Sequence, residues 1–311
     1  MGLTHFPHGV SSFGLPLIGS GTIITTGNVF FVDSGHAARA DSTDRGTYEK
    51  PFATLDYAIG RCTANNGDHI IVAPGHTETI AAAGGITVDV AGITIVGIGY
   101  GADRPTFNFT ATTSTILVTA ASTRIINMLF TGGIDAVATM FTISAADCEF
   151  VNCETRDVTG QMTSCITTTA GADRLRIDGY THLGAAGAGA NNCIEIVGGD
   201  RIVIRDVWID GNFDVAAIEN VTTAATNLTI HGGGDRPTYI RNRNAADVCI
   251  ACVATSTGYI GPNIYAMLTD HAANITEAFV GAAMVFHQPI SICNLAGEVG
   301  MNTNIPASTD A

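Results

Sequence analysis

The sequence predicts an all-β fold in which the chain winds into a single-stranded parallel β-helix of about seven coils. Similar apolar segments recur along the chain at a nearly constant spacing. Within each segment apolar residues occupy every second position, which is the periodicity of a strand. The composition agrees, because the chain has 36 glycines in 311 residues and only 14% charged residues, and no apolar run long enough to cross a membrane.

The first repeated position is an apolar residue in the middle of each segment. Its consecutive members are separated by 30, 25, 27, 27 and 26 residues. Two residues later stands a glycine, an asparagine or an aspartate, types that tolerate the backbone of a tight corner. The members are Ile95, Ile125, Phe150, Ile177, Ile204 and Ile230, and the corner positions are Gly97, Asn127, Asn152, Gly179, Asp206 and Gly232.

A second repeated position precedes the first by 9 to 12 residues. Two such positions and the corners predict about three short strands per coil, with coils stacked about 4.8 Å apart. Stacking buries the apolar ladders that a single coil cannot bury alone. The second register consists of Ile86, Ile116, Phe141, Ile166, Ile194, Ile218 and Ile250.

An open stack of strands exposes unpaired backbone at its ends and needs covers. Residues 50–68 predict an N-terminal capping helix, with Pro51 near its start. One apolar helical face would contain Phe52, Leu55, Ala58, Ile59 and Cys62. The predicted organisation is therefore an extended N-terminal arm (1–28), an entry strand, loop and capping helix (29–68), the β-helix (69–265), and a C-terminal cover and tail (266–311).

Two segments carry a resemblance to known proteins. "NVFFVDSGH" together with "KPFATLDYAIGRCTANNGDHIIVAPGHTETI" resembles the opening of right-handed parallel β-helix proteins of the pectate-lyase-like superfamily. With "HFPHGVSSFGLPLIGSG" in front and "ICNLAGEVG" near the end, the chain resembles head-associated virion structural proteins of tailed bacteriophages. The resemblance implies a right-handed β-helix and a non-enzymatic capsid decoration or cement role on the outside of the virion.

The N-terminal arm has two prolines and apolar residues without a period, a composition typical of an extended segment that lies on another surface. That surface is either the protein's own shaft, or a neighbouring subunit or capsid shell. The predicted docking residues are Phe6, Pro7, Phe13, Leu15, Pro16, Leu17 and Ile18.

The net charge of −14, with Lys50 as the single lysine, disfavours binding to phosphate backbones. We therefore expect no nucleic-acid partner, and no membrane partner either. The expected partners are the major capsid protein and further copies of this chain, as a homo-oligomer and most simply a trimer. The protein would be made in the host cytoplasm, and we expect no catalytic residue, no metal and no cofactor.

The alternative function is that of a tailspike or tail fibre that binds or depolymerises host surface polysaccharide. Glu195 and Glu219 each follow a second-register isoleucine, so they are predicted to stack as a carboxylate pair of the kind that hydrolyses glycosides. Trp208 would be a sugar platform beside Asp206 and Asp210. The structural alternative is that these carboxylates are corner and solvated surface residues.

Other candidates for chemistry have weaker patterns. Cys249 and Cys252 have metal or redox spacing but lack a second pair, and the eight cysteines do not predict a disulfide framework. The motif "DRPT" occurs at 103–106 and 235–238 and is interpreted as a structural corner, not an anion site. Arg176 and Arg205 are potential lyase bases without a recognisable acid cluster. Three histidines, His36, His69 and His76, would meet near the cap, and His5 and His8 lie near the start.

Overall fold

The computed structural model describes residues 10–12, 15–17, 25–187, 189–233, 236–244, 247–269, 279–280, 283–287 and 290–294. These residues are almost entirely β-structure. In chain order the elements are β1 (Val10–Ser12), β2 (Leu15–Leu17), β3 (Val29–Val32), α1 (Leu55–Ile59), β4 (His69–Val72), β5 (Thr77–Ile80), β6 (Ile86–Val88), β7 (Thr94–Gly97), a 3-10 turn (Gly101–Asp103), β8 (Thr106–Phe109), β9 (Ile116–Val118), β10 (Arg124–Ile126), β11 (Leu129–Gly132), β12 (Phe141–Ile143), β13 (Glu149–Val151), β14 (Glu154–Asp157), β15 (Ile166–Thr168), β16 (Arg176–Asp178), β17 (Thr181–Leu183), β18 (Ile194–Ile196), β19 (Val203–Arg205), β20 (Trp208–Gly211), β21 (Ala216–Asn220), β22 (Leu228–His231), β23 (Thr238–Asn242), β24 (Val248–Cys252), β25 (Gly258–Ile260), β26 (Ile264–Thr269), β27 (Phe279–Val280), β28 (Met284–Phe286) and β29 (Ile290–Asn294).

Three parallel sheets form the body of the protein. Sheet 1 contains β3, β4 and every third strand up to β28, sheet 2 runs in the same way from β5 to β29, and sheet 3 from β6 to β27. Each strand pairs with the strand three places before it and three places after it in the chain. The chain therefore visits sheets 1, 2 and 3 once per turn, which confirms the predicted parallel β-helix of about seven turns.

Both apolar registers predicted from the sequence are confirmed as ladders. In sheet 1 the ladder extends beyond the predicted members at both ends, from Phe30 to Phe286. Every predicted member of the two registers has the next member as its partner on the adjacent strand, and all of them are buried. The pairs that establish this are Ile95 with Ile125, Ile125 with Phe150, Phe150 with Ile177, Ile177 with Ile204 and Ile204 with Ile230 in sheet 1, and Ile86, Ile116, Phe141, Ile166, Ile194, Ile218 and Ile250 in succession in sheet 3.

Sheet 2 contributes a third inward row that the apolar pattern did not reveal. Its middle members are a threonine and a histidine, so the row lacks the uniform apolar character of the other two. The row consists of Phe107, Phe130, Thr155, His182, Ile209, Ile240 and Ala266. The core is thus apolar at both ends of this row and polar in its middle.

The corner from sheet 1 to sheet 2 requires a left-handed residue in four successive turns. Asn127, Asn152, Gly179 and Asp206 have φ values of 57°, 52°, 65° and 56°. Only glycine adopts this conformation freely, and asparagine and aspartate adopt it more readily than other residues. The side-chain oxygen Oδ1 of Asp206 accepts a hydrogen bond from the Gly233 amide of the next turn. Asp206 therefore has the corner role that the repeat predicted.

A substitution at one of these corners tests the conformational requirement. We expect Asn152→Val to lower the free energy of unfolding by about 1–2 kcal/mol, because a β-branched side chain resists the left-handed region. Asn152→Gly is expected to change it by less than about 0.5 kcal/mol, since glycine gains there what it loses in chain entropy. Urea denaturation of the two variants measures the difference, and equal losses would contradict the account.

The segment before the first turn contains a short helix. The helix α1 starts at Leu55, later than predicted, because Phe52 is held in an isolated bridge to Val32. The Thr54 hydroxyl accepts the Tyr57 amide at 3.4 Å as an N-cap. Four members of the predicted apolar face are nevertheless buried in the core, namely Phe52, Leu55, Ala58 and Ile59, and Cys62 packs against it partly exposed.

The two ends of the chain differ in how they pair. β1 and β2 form an antiparallel hairpin that pairs with none of the three sheets. At the other end, parallel pairing continues through β28 and β29, so the ladders run on to Asn294. In the described part of the chain no helix is both long and apolar enough to span a membrane.

The outer face of sheet 1 changes character along the stack. At its N-terminal end Ile71 and Val96 form a second apolar cluster with Val29, Phe31 and Ile126 packed against them. Further along, charged side chains alternate in sign. In this ion-pair ladder Arg124 contacts Glu149 at 2.7 Å, Glu149 contacts Arg176 at 3.8 Å, Arg176 contacts Asp178 at 3.6 Å, and Asp178 pairs with Arg205.

Candidate functional site

Two long corner loops on one side of the stack delimit a cleft. The corner from sheet 1 to sheet 2 takes two residues in each of four successive turns, between β10 and β20. The turn before them has a longer loop at residues 98–105, and the turn after them has another at 232–237. Each of these loops contains one copy of the DRPT motif. The short corners thus form the floor between two raised ends.

The cleft has a volume of about 490 Å³ and a polar lining. Arg104 comes from the first loop and Arg236 from the second, so the two motif copies face one cleft. A Cβ atom added to Gly179 would lie 3.4 Å from Nη1 of Arg236, which places this guanidinium above the floor. The full lining is Tyr100, Gly101, Arg104, Asn127, Asn152, Glu154, Arg156, Gly179, Thr181 and Arg236.

Glu154 organises the positive charge of the cleft. Its carboxylate lies between two guanidinium groups, accepting from Arg104 through one oxygen and from Arg156 through the other. Burial alone would raise the pKa of Glu154, but the hydrogen bonds and charges of Arg156 and Arg104 outweigh it and hold the pKa below its ordinary value. Three guanidinium groups and one carboxylate leave the cleft with an excess of positive charge on an acidic protein.

An aromatic pair borders the cleft on sheet 2. Thr181, which lines the cleft, is the direct neighbour of Trp208 on the next strand. Trp208 is half exposed and stacks on Tyr239, with ring centroids 4.3 Å apart and planes inclined by 27°. An exposed stacked indole offers an apolar face to a sugar ring or another flat ligand. Trp208 thus lies at a possible binding surface, as predicted, although its partners are not Asp206 and Asp210.

This arrangement is suited to binding rather than to acid–base chemistry. Glu154 is the one carboxylate among the lining residues, and its lowered pKa keeps it ionised near neutrality. A general acid needs a pKa raised towards the working pH. Guanidinium groups, an asparagine floor and a flanking aromatic pair instead fit an anionic or polyhydroxylated ligand.

The predicted carboxylate pair is brought together, but on another face. Glu195 and Glu219 are direct partners on the outer row of sheet 3. Glu195 accepts a hydrogen bond from Thr167 at 3.1 Å, and Glu219 accepts one from Asn192 at 3.0 Å. Burial raises the pKa of Glu219, against the Asn192 hydrogen bond, and the charge of Glu195 raises it further. An unequal carboxylate pair is chemically able to act as acid and base.

The remaining carboxylate candidates have structural partners. Asp210 lies 2.9 Å from Nε of Arg243 and 3.7 Å from Arg241, so it neutralises two arginines on the neighbouring strand. Arg176 and Arg205 do have acids beside them, which the sequence did not predict. Those acids, Glu149 and Asp178, are members of the ion-pair ladder on sheet 1.

The cysteine and histidine candidates are also accounted for locally. Burial raises the pKa of both Cys249 and Cys252 to about 12, so both remain thiols and behave as small core residues. The three histidines near the start of the stack each have a separate partner: His36 accepts from the Ala38 amide, His69 contacts the Gly67 carbonyl, and His76 lies between the Ser34 amide and Glu78.

The arm residues are only partly placed. Leu15, Pro16 and Leu17 form β2 of the hairpin. Phe6, Pro7, Phe13 and Ile18 lie outside the described residues, as do His5 and His8.

The cleft itself was missed from the sequence, although a signal for it exists. The step from Ile95 to Ile125 is 30 residues and so is the step from Ile230 to Ile260, whereas the four steps between them are 25 to 27. The two long steps contain the two long loops. A comparison of the chain with family models, with curated proteins and with solved structures finds no match in any of the three.

Proposed function

We propose that this protein is a non-enzymatic bacteriophage virion protein, a capsid decoration or cement protein docked by its N-terminal arm. The observation that carries the proposal is the separation of the N-terminal hairpin from the stack. β1 pairs only with β2, while the solenoid sheets begin at residue 29. A segment that adds no strand to its own sheets is available to add area to another surface. The sequence resemblance to head-associated virion proteins supports the same role.

The stack supplies the rigid body that such a role requires. Its ladders make each turn a template for the next, so a load on one turn is shared with its neighbours. We assign α1 the role of cover for the first turn. The Asp56 side chain accepts the Thr87 amide of β6 at 2.9 Å, and the Leu55 amide donates to Glu78 of β5 at 2.9 Å. Both contacts satisfy groups at the open edges of sheets 3 and 2.

The proposed partners are the major capsid protein and further copies of this chain. In this role the protein bridges capsomers on the outside of the head, and its acidic surface keeps the free protein soluble before docking. Three copies around a local three-fold axis would place three arms on neighbouring capsomers. Each arm then adds buried apolar area across a seam, and no catalytic residue takes part.

Deletion of residues 1–20 is expected to abolish binding to expanded heads while leaving the shaft folded. Sedimentation of purified protein with heads lacking it measures occupancy, and circular dichroism with thermal unfolding measures folding. Deletion of residues 302–311 is the matched control, because it removes a polar segment of similar length from the other end. Full occupancy by the 1–20 deletion would contradict the arm hypothesis.

The alternative, in which the arm lies on its own shaft, predicts a different result. The outer apolar cluster around Ile71 and Val96 is a surface of the right kind at the N-terminal end of the stack. If the arm covers it, the 1–20 deletion lowers the unfolding temperature and exposes that cluster to a hydrophobic dye. The two readouts together distinguish an arm that binds heads from one that binds the shaft.

A second candidate function, binding of host surface polysaccharide, is favoured by the cleft and its aromatic border. Trp208 supplies a stacking face, and three arginines suit the carboxylates of an acidic polysaccharide. Trp208→Ala is expected to weaken binding of acidic capsule fragments at least about tenfold, the loss of one good stacking contact. Tyr259→Ala is the control, since Tyr259 is an exposed aromatic residue on sheet 1.

Depolymerisation is tested separately through the carboxylate pair. Purified protein is incubated with host capsule, and released reducing ends are measured. An enzyme would lose this release on Glu195→Gln and Glu219→Gln and keep it on Glu149→Gln, which alters a carboxylate of the ion-pair ladder. No release from the unaltered protein removes the enzymatic alternative and leaves the binding function to the first test.

A further inference from the structure

The polar middle of the sheet 2 row belongs to a cluster enclosed in the core. His182 projects inward from β17, and Cys165 and Cys193 stand directly before β15 and β18, on adjacent strands of sheet 3. Their exposed fractions are 2%, 1% and 0%. The cluster therefore lies across the interior of the stack, between sheets 2 and 3.

The three side chains present their ligating atoms to one point. Nδ1 of His182 lies 3.4 Å from Sγ of Cys165, and all three ligating atoms lie within 4.8 Å of one another. A tetrahedral zinc ion, with bonds of about 2.3 Å to sulfur and about 2.0 Å to nitrogen, holds such ligands about 3.5 Å apart. The observed separation matches that edge length without movement of the backbone. Among the described residues this is the one group of three ligating side chains with such spacing.

Two hydroxyl groups complete the surroundings. The Thr155 hydroxyl lies 2.9 Å from Nδ1 of His182, and the Tyr180 phenol lies 3.5 Å from Sγ of Cys193 and also contacts Thr155. Both residues are buried. They are the oxygen groups available for a fourth position, or for hydrogen bonds to the two sulfurs.

We propose that Cys165, His182 and Cys193 form a structural zinc site inside the β-helix, with Thr155 or Tyr180 beside the fourth position. Thiolate and imidazole ligands together favour zinc over magnesium or calcium, which prefer oxygen. The site is closed to solvent, so the ion would be bound as the turns assemble and would join two successive turns. This departs from the expectation, drawn from the sequence, that the protein holds no metal.

The same row of the stack contains a matched comparison. Cys249 occupies the position of Cys165 and Cys193 two turns after Cys193 and is equally buried. Its sulfur lies near the Ile240 and Met267 carbonyls, and Ile240 takes the place of the histidine on sheet 2. Cys249 thus has the burial of a cluster cysteine without the imidazole partner.

The test uses the full-length chain refolded from denaturant with and without zinc, followed by elemental analysis and native mass spectrometry. The expected content is about one zinc per chain, falling at least about tenfold in His182→Gln and Cys193→Ala because one ligand is lost. Cys249→Ala is expected to retain the zinc. Zinc should also raise the unfolding temperature of the unaltered protein and of Cys249→Ala, but not that of His182→Gln.

Three results would overturn the proposal. One is an unaltered chain that refolds without taking up zinc. Another is equal zinc content in His182→Gln and Cys249→Ala. The third is a Cys165–Cys193 disulfide in protein purified without oxidant. If the ligand variants do not fold, refolding the unaltered chain with cobalt(II) decides: thiolate-to-cobalt charge-transfer absorption supports the site, and its absence contradicts it.

Discussion

Phe141→Ala is expected to lower the free energy of unfolding by about 3–5 kcal/mol, the range for removing a buried aromatic side chain. Phe141 is 1% exposed and packs edge-to-face on Phe130 at 4.6 Å and on Phe150 at 4.9 Å between ring centroids. These three rings come from sheets 3, 2 and 1, so Phe141 joins all three walls of the core. Its removal leaves a cavity and two rings without a partner.

The neighbouring residue provides the control for this prediction. Thr142 points outward from the same strand, so Thr142→Ala is expected to change the free energy of unfolding by less than about 0.5 kcal/mol. Urea denaturation measures the global effect. Because a repeat stack is coupled mainly between neighbours, hydrogen exchange is measured as well, and lost protection is expected to centre on β11, β12 and β13. Equal effects of the two substitutions would show that Phe141 does not face the core.

Glu154→Ala is expected to destabilise the protein by about 2–3 kcal/mol, because it leaves two guanidinium groups facing each other without a counter-charge. The side chain of Arg104 is only 12% exposed, whereas that of Arg156 is 41% exposed and reaches water, which reduces the penalty. Glu149→Ala is the matched control. Glu149 also lies between two arginines, but both are more than 40% exposed, so its loss is expected to cost less than about 1 kcal/mol.

The Glu154 contribution also has a defined pH dependence. The pKa of Glu154 in the folded protein lies below its ordinary value of 4.5, so its stabilising effect is present above that pH. The effect is lost as the pH falls through the lower folded pKa, because the protonated carboxyl no longer pairs with the arginines. The stability difference between the unaltered protein and Glu154→Gln should therefore narrow under acid conditions. A difference that stays constant between neutral pH and pH of about 3 would contradict this linkage.

The ladders of sheets 1 and 3 were predictable because their inward positions hold the same kind of residue in every turn. Ile95 to Ile230 and Ile86 to Ile250 repeat with little variation in spacing, and the structure places each beside the next. The sheet 2 row was not predictable in this way. Its inward positions change from phenylalanine to threonine and histidine and then to isoleucine, so hydrophobicity alone carries no period there.

The site was less predictable than the fold, because its parts are distant in sequence. Arg104 and Arg236 are separated by 132 positions in the chain, and only the stacking of short corners between them makes them face one cleft. The stacking of Glu195 on Glu219 was predicted correctly, since it follows directly from register. Their acidity was not, because the burial that raises the pKa of Glu219 depends on neighbours such as Asn192.

The mismatch between Thr155–His182 and the rest of the sheet 2 row has a consequence for assembly. A chain of near-equivalent turns can pair out of step by a whole turn, because isoleucine fits against isoleucine in every position. Such slippage would bring Thr155 and His182 opposite isoleucine or phenylalanine and strand their polar atoms in an apolar interior. The odd members of an otherwise uniform column therefore act as a key, penalising kinetic traps that the greasy ladders alone would accept.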